Sequence, residues 1–82
     1  MLSDYTKAAL RHAHYELLND DQSFYGEIEG FDGVCANAKT LEDCREQLAE
    51  VLEEWVFLRI HKNLPLPAVD GIALKISAVA VA

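Results

Sequence analysis

The chain has 82 residues, 51% hydrophobic and 26% charged, and seven Lys and Arg against fourteen Asp and Glu give a net charge of −7. That length allows one domain, burying about 60–65% of the surface its unfolded form exposes, so support from a disulfide, a metal or a second subunit is expected. The composition excludes disorder. The charge excludes a nucleic-acid surface, which needs clustered cations to displace counterions from phosphate, and docking on anionic lipid.

Cys35 and Cys44 are too few for a disulfide framework. No charged-then-apolar leader is expected, and the longest apolar stretch, 76–82, is far shorter than the ~20 residues of a membrane helix. A soluble, cytoplasmic protein is the expectation. The acidity is uneven: residues 14–30 carry five acids and no base, and residues 40–62 carry six acids against three bases.

Ser3 is placed to N-cap a short helix running to about Arg11, with Asp4 in its first turn. Two strands follow, over 14–18 and 24–29, joined by the polar cluster Asn19-Asp20-Asp21-Gln22-Ser23. In the second, Phe24, Gly26 and Ile28 share one face, and Tyr25 and Glu27 the other. Gly30 and Gly33 bracket a bend around Phe31 and Asp32, after which 34–38 reads as a third antiparallel strand.

Thr40 is expected to cap a long helix over 41–62, with Asp43 at the capping-box position. Leu41, Cys44, Leu48, Val51, Leu52, Trp55 and Leu58 recur at three- and four-residue steps, the period of one helical face. Glu42 and Asp43 open the helix and Arg59, His61 and Lys62 close it, matching its dipole, and Pro65 and Pro67 are expected to stop it. Asp70-Gly71 is a turn signal, and 72–82 reads as a strand. The expected architecture is α+β in the order α-β-β-β-α-β, a small mostly antiparallel sheet packed on one long helix. It forms a single domain over 1–82: a helix in 1–13, a core in 14–76, and a strand or tail in 77–82.

Glu16, Glu27 and Glu29 are the acids that neighbouring strands bring nearest to a divalent-metal nuclease site, with Glu16 near Glu27 in some hairpin registers. No Asp-x-Asp accompanies them, and a solvated sheet face accounts for them better. His12 and His14 flank a helix-to-strand boundary, and His61 is a helix C-terminal cation. No ligand spacing joins them to a cysteine, so no metal site is expected. Cys44 falls on the apolar helix face and Cys35 alternates away from Val34 and Ala36, towards solvent. Neither a phosphate loop nor a nucleophile arrangement is visible, and no catalysis or cofactor is expected. An aromatic beside acids on an uncovered sheet face, Tyr25 with Glu27, suits a basic protein partner or a homo-oligomer interface.

Residues 24–48 follow a recognisable pattern, and the chain resembles the HicB-like antitoxins. Phe24 stands where that family has a strand-leading Tyr, and Ile28 at the inward strand position. Phe31 and Gly33 match its bend, Thr40 its helix cap, and Asp43 the acid three residues later. Glu29 and Asp32 replace the family's prolines, Ala38 its Gly, and Cys44 its Ala. The resemblance implies a β-β-β-α-β core of partial RNase H-like fold. It also implies a non-catalytic role, binding and neutralising a small basic HicA-like toxin that cleaves mRNA. The family's C-terminal DNA-binding segment is not expected, because the twelve residues after Asp70 hold one base. The reading is thus a short HicB-like antitoxin that forms a dimer or tetramer and binds its toxin through Asp20, Asp21, Tyr25, Glu27 and Glu29. An orphan homo-oligomeric module or, behind it, a divalent-metal nuclease is the alternative.

Overall fold

The computed structural model describes residues 2–72. Helix α1 spans Leu2–Arg11, strands β1, β2 and β3 span Ala13–Leu17, Phe24–Ile28 and Cys35–Ala38, and helix α2 spans Leu41–His61. The strands form an antiparallel sheet in the order β1-β2-β3. The α+β class and the first five expected elements are therefore present. Of the sixth, the strand over 72–82, all but Ile72 lies outside the described residues.

Hydrogen bonds at the strand ends explain why the boundaries differ from those expected. Ala13 already pairs with Ile28, so β1 starts one residue early. At its other end the ladder runs one step past Leu17, where the Leu18 amide donates to the Ser23 carbonyl at 2.7 Å and closes the loop over 19–22. The Phe31 amide donates to Ile28 O and the Val34 amide to Phe31 O, each at 3.1 Å. These two successive turns end β2 at Ile28 and delay β3 to Cys35. Their third residues, Gly30 and Gly33, have φ of 87° and 91°, a region that glycine enters without steric cost.

Helix α1 already includes Leu2, so Ser3 sits within the helix and is not its N-cap. Thr40 does cap α2: its Oγ1 accepts from the Asp43 amide at 3.0 Å. The helix stops before the prolines reach it. Asn63 adopts φ 58°, its amide donates to Ile60 O at 3.1 Å, and the Leu64 amide donates to Arg59 O at 2.8 Å. That bonding is a Schellman motif with asparagine in the place glycine usually takes, and it satisfies the last carbonyls two residues ahead of Pro65.

The core lies between one sheet face and α2. Cys44, Leu48, Leu52 and Val56 of α2 are buried at a spacing of four, against Ile28, Val34, Ala36 and Phe31. Helix α1 closes the side with Tyr5, Ala8 and Ala9, each fully buried. Small residues let the two helices approach closely, and the Tyr5 hydroxyl donates to the Pro67 carbonyl. The expected helix stripe needs correction at its ends. Leu41 and Leu58 are exposed and Val56 is buried instead. A spacing of four advances slightly more than one helical turn, so the buried stripe drifts around α2 as it passes from the sheet to α1 and the bend.

Candidate functional site

The sheet face turned away from α2 is set by strand alternation and register. Along β2, Gly26 and Ile28 point into the core, while Tyr25 and Glu27 point outward. Register then gives each outward residue two neighbours. Tyr25 stands between Glu16 of β1 and Asn37 of β3, and Glu27 between His14 and Cys35. Glu16 is thus opposite Tyr25 and not Glu27, which removes the facing carboxylate pair considered for a divalent metal. Among the described residues, no group of three or more His, Cys, Asp or Glu is placed to hold a metal ion.

The Tyr25 hydroxyl donates to Glu27 Oε1 at 3.1 Å. That bond to a carboxylate, then partial desolvation and the neighbouring Cys35, push the phenol up to about 12. Tyr25 therefore stays a neutral donor, its ring spread across the middle of the face. Cys35 is exposed and Cys44 is buried, where desolvation raises its thiol.

The two hairpin acids take different roles. Asp21 Oδ1 accepts from the Ser23 amide at 3.2 Å and from Ser23 Oγ at 2.6 Å. Asn37 Nδ2 in turn donates to Ser23 Oγ and to Phe24 O, both at 2.9 Å. The Ser23 hydroxyl bond chiefly holds the Asp21 carboxyl below its ordinary range. Asp21 thus braces the loop onto β3, through a serine that is itself buried, while its neighbour Asp20 is also exposed at the tip.

The five residues expected to meet a partner are split among three places. Asp20 and Asp21 lie at the hairpin tip, and Tyr25 and Glu27 at the centre of the open face. Glu29 lies past the far end of β2, in a hollow with His12, Pro67 and Asp70. Glu16 is expected from the sequence on the solvated sheet face but not among the partner-facing residues, and register makes it the open-face acid beside Tyr25. The alternation of β1 carried that signal. The assembled surface has exposed carboxylates from Glu16 and Glu27, the acidic tip, and a half-buried aromatic donor, which together can receive cationic side chains.

No helix among the described residues is long and apolar enough to cross a membrane. No curated protein matches the sequence. The fold is similar to that in the crystal structure of TTHA0281 from Thermus thermophilus, with a TM-score of 0.85 and 31% identity. That likeness covers 90% of this chain and 91% of the other. The UPF0150-like family model matches residues 4–67, spanning both helices but for the outermost residues of α1, the whole sheet and the bend. On that match the chain belongs to the UPF0150-like family.

Proposed function

We propose that this protein is a HicB-like antitoxin: a non-catalytic, cytoplasmic protein that binds and neutralises a small basic HicA-like mRNA-cleaving toxin. The observation carrying this reading is the open sheet face, where Glu16 and Glu27 flank Tyr25 across two strands and Asp20 extends the acidity to the hairpin tip. Membership of the UPF0150-like family and the resemblance of residues 24–48 to HicB-like antitoxins support it. A face of this kind attracts a cationic ribonuclease at long range and competes with RNA for the same cations once bound. The site is Glu16, Tyr25, Glu27 and Asp20; Asp21 shapes the tip from behind, and Glu29 lies at the periphery.

Co-expression with the product of the adjacent reading frame, followed by pull-down and titration calorimetry, tests the proposal. Reversing Glu16 and Glu27 to lysine together should weaken binding on the order of tenfold or more and reduce its salt dependence. Binding unchanged by that double reversal rejects the site, and an adjacent product that never associates with the wild-type chain rejects the function.

A further inference from the structure

The last two turns of α2 carry a second apolar surface, on the side away from the core. Phe57 is 73% exposed and Leu58 52% exposed, and together with Glu54, Ile60 and His61 they line a shallow hollow. Residues 54, 57, 58 and 61 follow the i, i+3, i+4, i+7 spacing of one helical stripe. At 100° per residue, this stripe is opposite the one that buries Leu52 and Val56. An exposed phenylalanine and leucine side by side, at the end of an otherwise strongly acidic helix, call for a covering surface.

We propose that this stripe is a self-association surface on which α2 packs antiparallel against α2 of a second copy, about a twofold axis passing between Phe57 and Leu58. In an antiparallel pair, residues whose numbers share one sum lie at the same height. A pair centred between 57 and 58 brings Glu54 level with His61 of the second copy, and His61 level with its Glu54. Phe57 and Leu58 of both copies pack together in the middle, and a carboxylate and an imidazole N–H close each end. The stripe is thus complementary to itself in charge as well as shape, the requirement for a twofold contact.

Charge also argues for this register over a longer one. Glu42, Asp43, Glu46, Glu50, Glu53 and Glu54 outnumber Arg45 in the earlier turns of α2, while Arg59 and His61 occupy the last. Centring the pair at 57–58 limits the helical overlap to 54–61, so the acidic turns of each copy extend past the other's end. A register sliding the helices further together, to a centre at residues 52–54, would set Glu50, Glu53 and Glu54 of the two copies against one another. The surface lies on the opposite side of the molecule from the acidic sheet face. Its success or failure is therefore independent of toxin binding.

The test is sedimentation equilibrium of the full chain with no partner present, across concentrations up to about 100 µM. The wild type should form a dimer, and Phe57→Glu should raise its dissociation constant about 100-fold, as loss of a central aromatic anchor does. Circular dichroism should stay unchanged, since Phe57 is outside the core. Glu54→Lys and His61→Glu should each weaken the dimer about tenfold, and the double variant should return to within about threefold of the wild type by restoring opposite charges. A wild-type chain that stays monomeric, its stripe covered by its own residues 73–82 or left bare, overturns the proposal. So does a dimer indifferent to Phe57→Glu, or a double variant as weak as the single ones.

Discussion

Trp55 of α2 donates its indole N–H to the carbonyl of Asp32 at 3.0 Å, across the bend between β2 and β3. The same ring packs at 5.1 Å from Phe31, whose other side approaches Tyr5 at 6.2 Å. The guanidinium of Arg59 lies 4.7 Å above it, and Arg59 Nε donates to Pro65 O at 2.8 Å. One indole thus ties the bend, α1, α2 and the chain after α2 into a single aromatic column.

Trp55→Phe keeps most of the packing and removes the indole donor, so it should cost about 1 kcal/mol. Trp55→Ala also strips the column of its end ring and the cation of its platform, and should cost about 2–4 kcal/mol. Urea unfolding midpoints at unchanged slope would measure both, and equal losses for the two variants would contradict a separate contribution from the ring.

Gly26 is required for space and not for backbone conformation. A Cβ there would sit 2.8 Å from two ring carbons of Tyr15 and 3.2 Å from Cys44 Sγ. Gly26→Ala must displace the ring and should destabilise the protein by about 1–3 kcal/mol. In a Tyr15→Ala background the same substitution should cost roughly 1 kcal/mol less, so a double-mutant cycle in thermal unfolding should show coupling between the two positions.

Asp70 anchors the turn after α2 to the end of α1. His12 Nε2 is 2.7 Å from its Oδ1 and Arg11 Nη2 is 3.6 Å from its Oδ2. The His12 hydrogen bond chiefly, with a smaller contribution from the Arg11 guanidinium, holds the carboxyl below its ordinary 3.8. A carboxyl depressed in the folded state contributes stability that is fully present above the unfolded value and is lost as pH falls through the folded one. Asp70→Asn, which suits the residue's φ of 50°, should therefore lower the melting temperature at neutral pH. The two proteins should converge in strong acid, which melting curves across the acid range would reveal.

The Tyr25 phenol, pushed up to about 12, depends first on its bond to Glu27. Glu27→Ala should move it down towards the ordinary 10.0, as tracked by ultraviolet difference absorbance against pH. Cys35→Ala should cause a smaller fall. A phenol unmoved by Glu27→Ala would mean that the two side chains do not meet in solution.

Local spacing in the sequence was enough to place the two helices, the three strands, the Thr40 cap and the inward and outward residues of β2. Each depends on hydrogen bonds and side-chain periods within a few residues of the chain. The Asp70-Gly71 turn was legible for the same reason, and both residues take the positive φ that a two-residue hairpin turn demands. Tertiary structure alone decided which residues meet. The closure of the 18–23 loop by Leu18 and Ser23 put Tyr25, and not Glu27, opposite Glu16 on the open face. The Ser23–Asn37 bond likewise made Asp21 a brace of the loop. Along α2, periodicity identified an apolar face, but the positions of α1 and the bend settled how far it is covered. They bury Val56 and leave Phe57 and Leu58 exposed, because a helix has only as much inside as its neighbours cover.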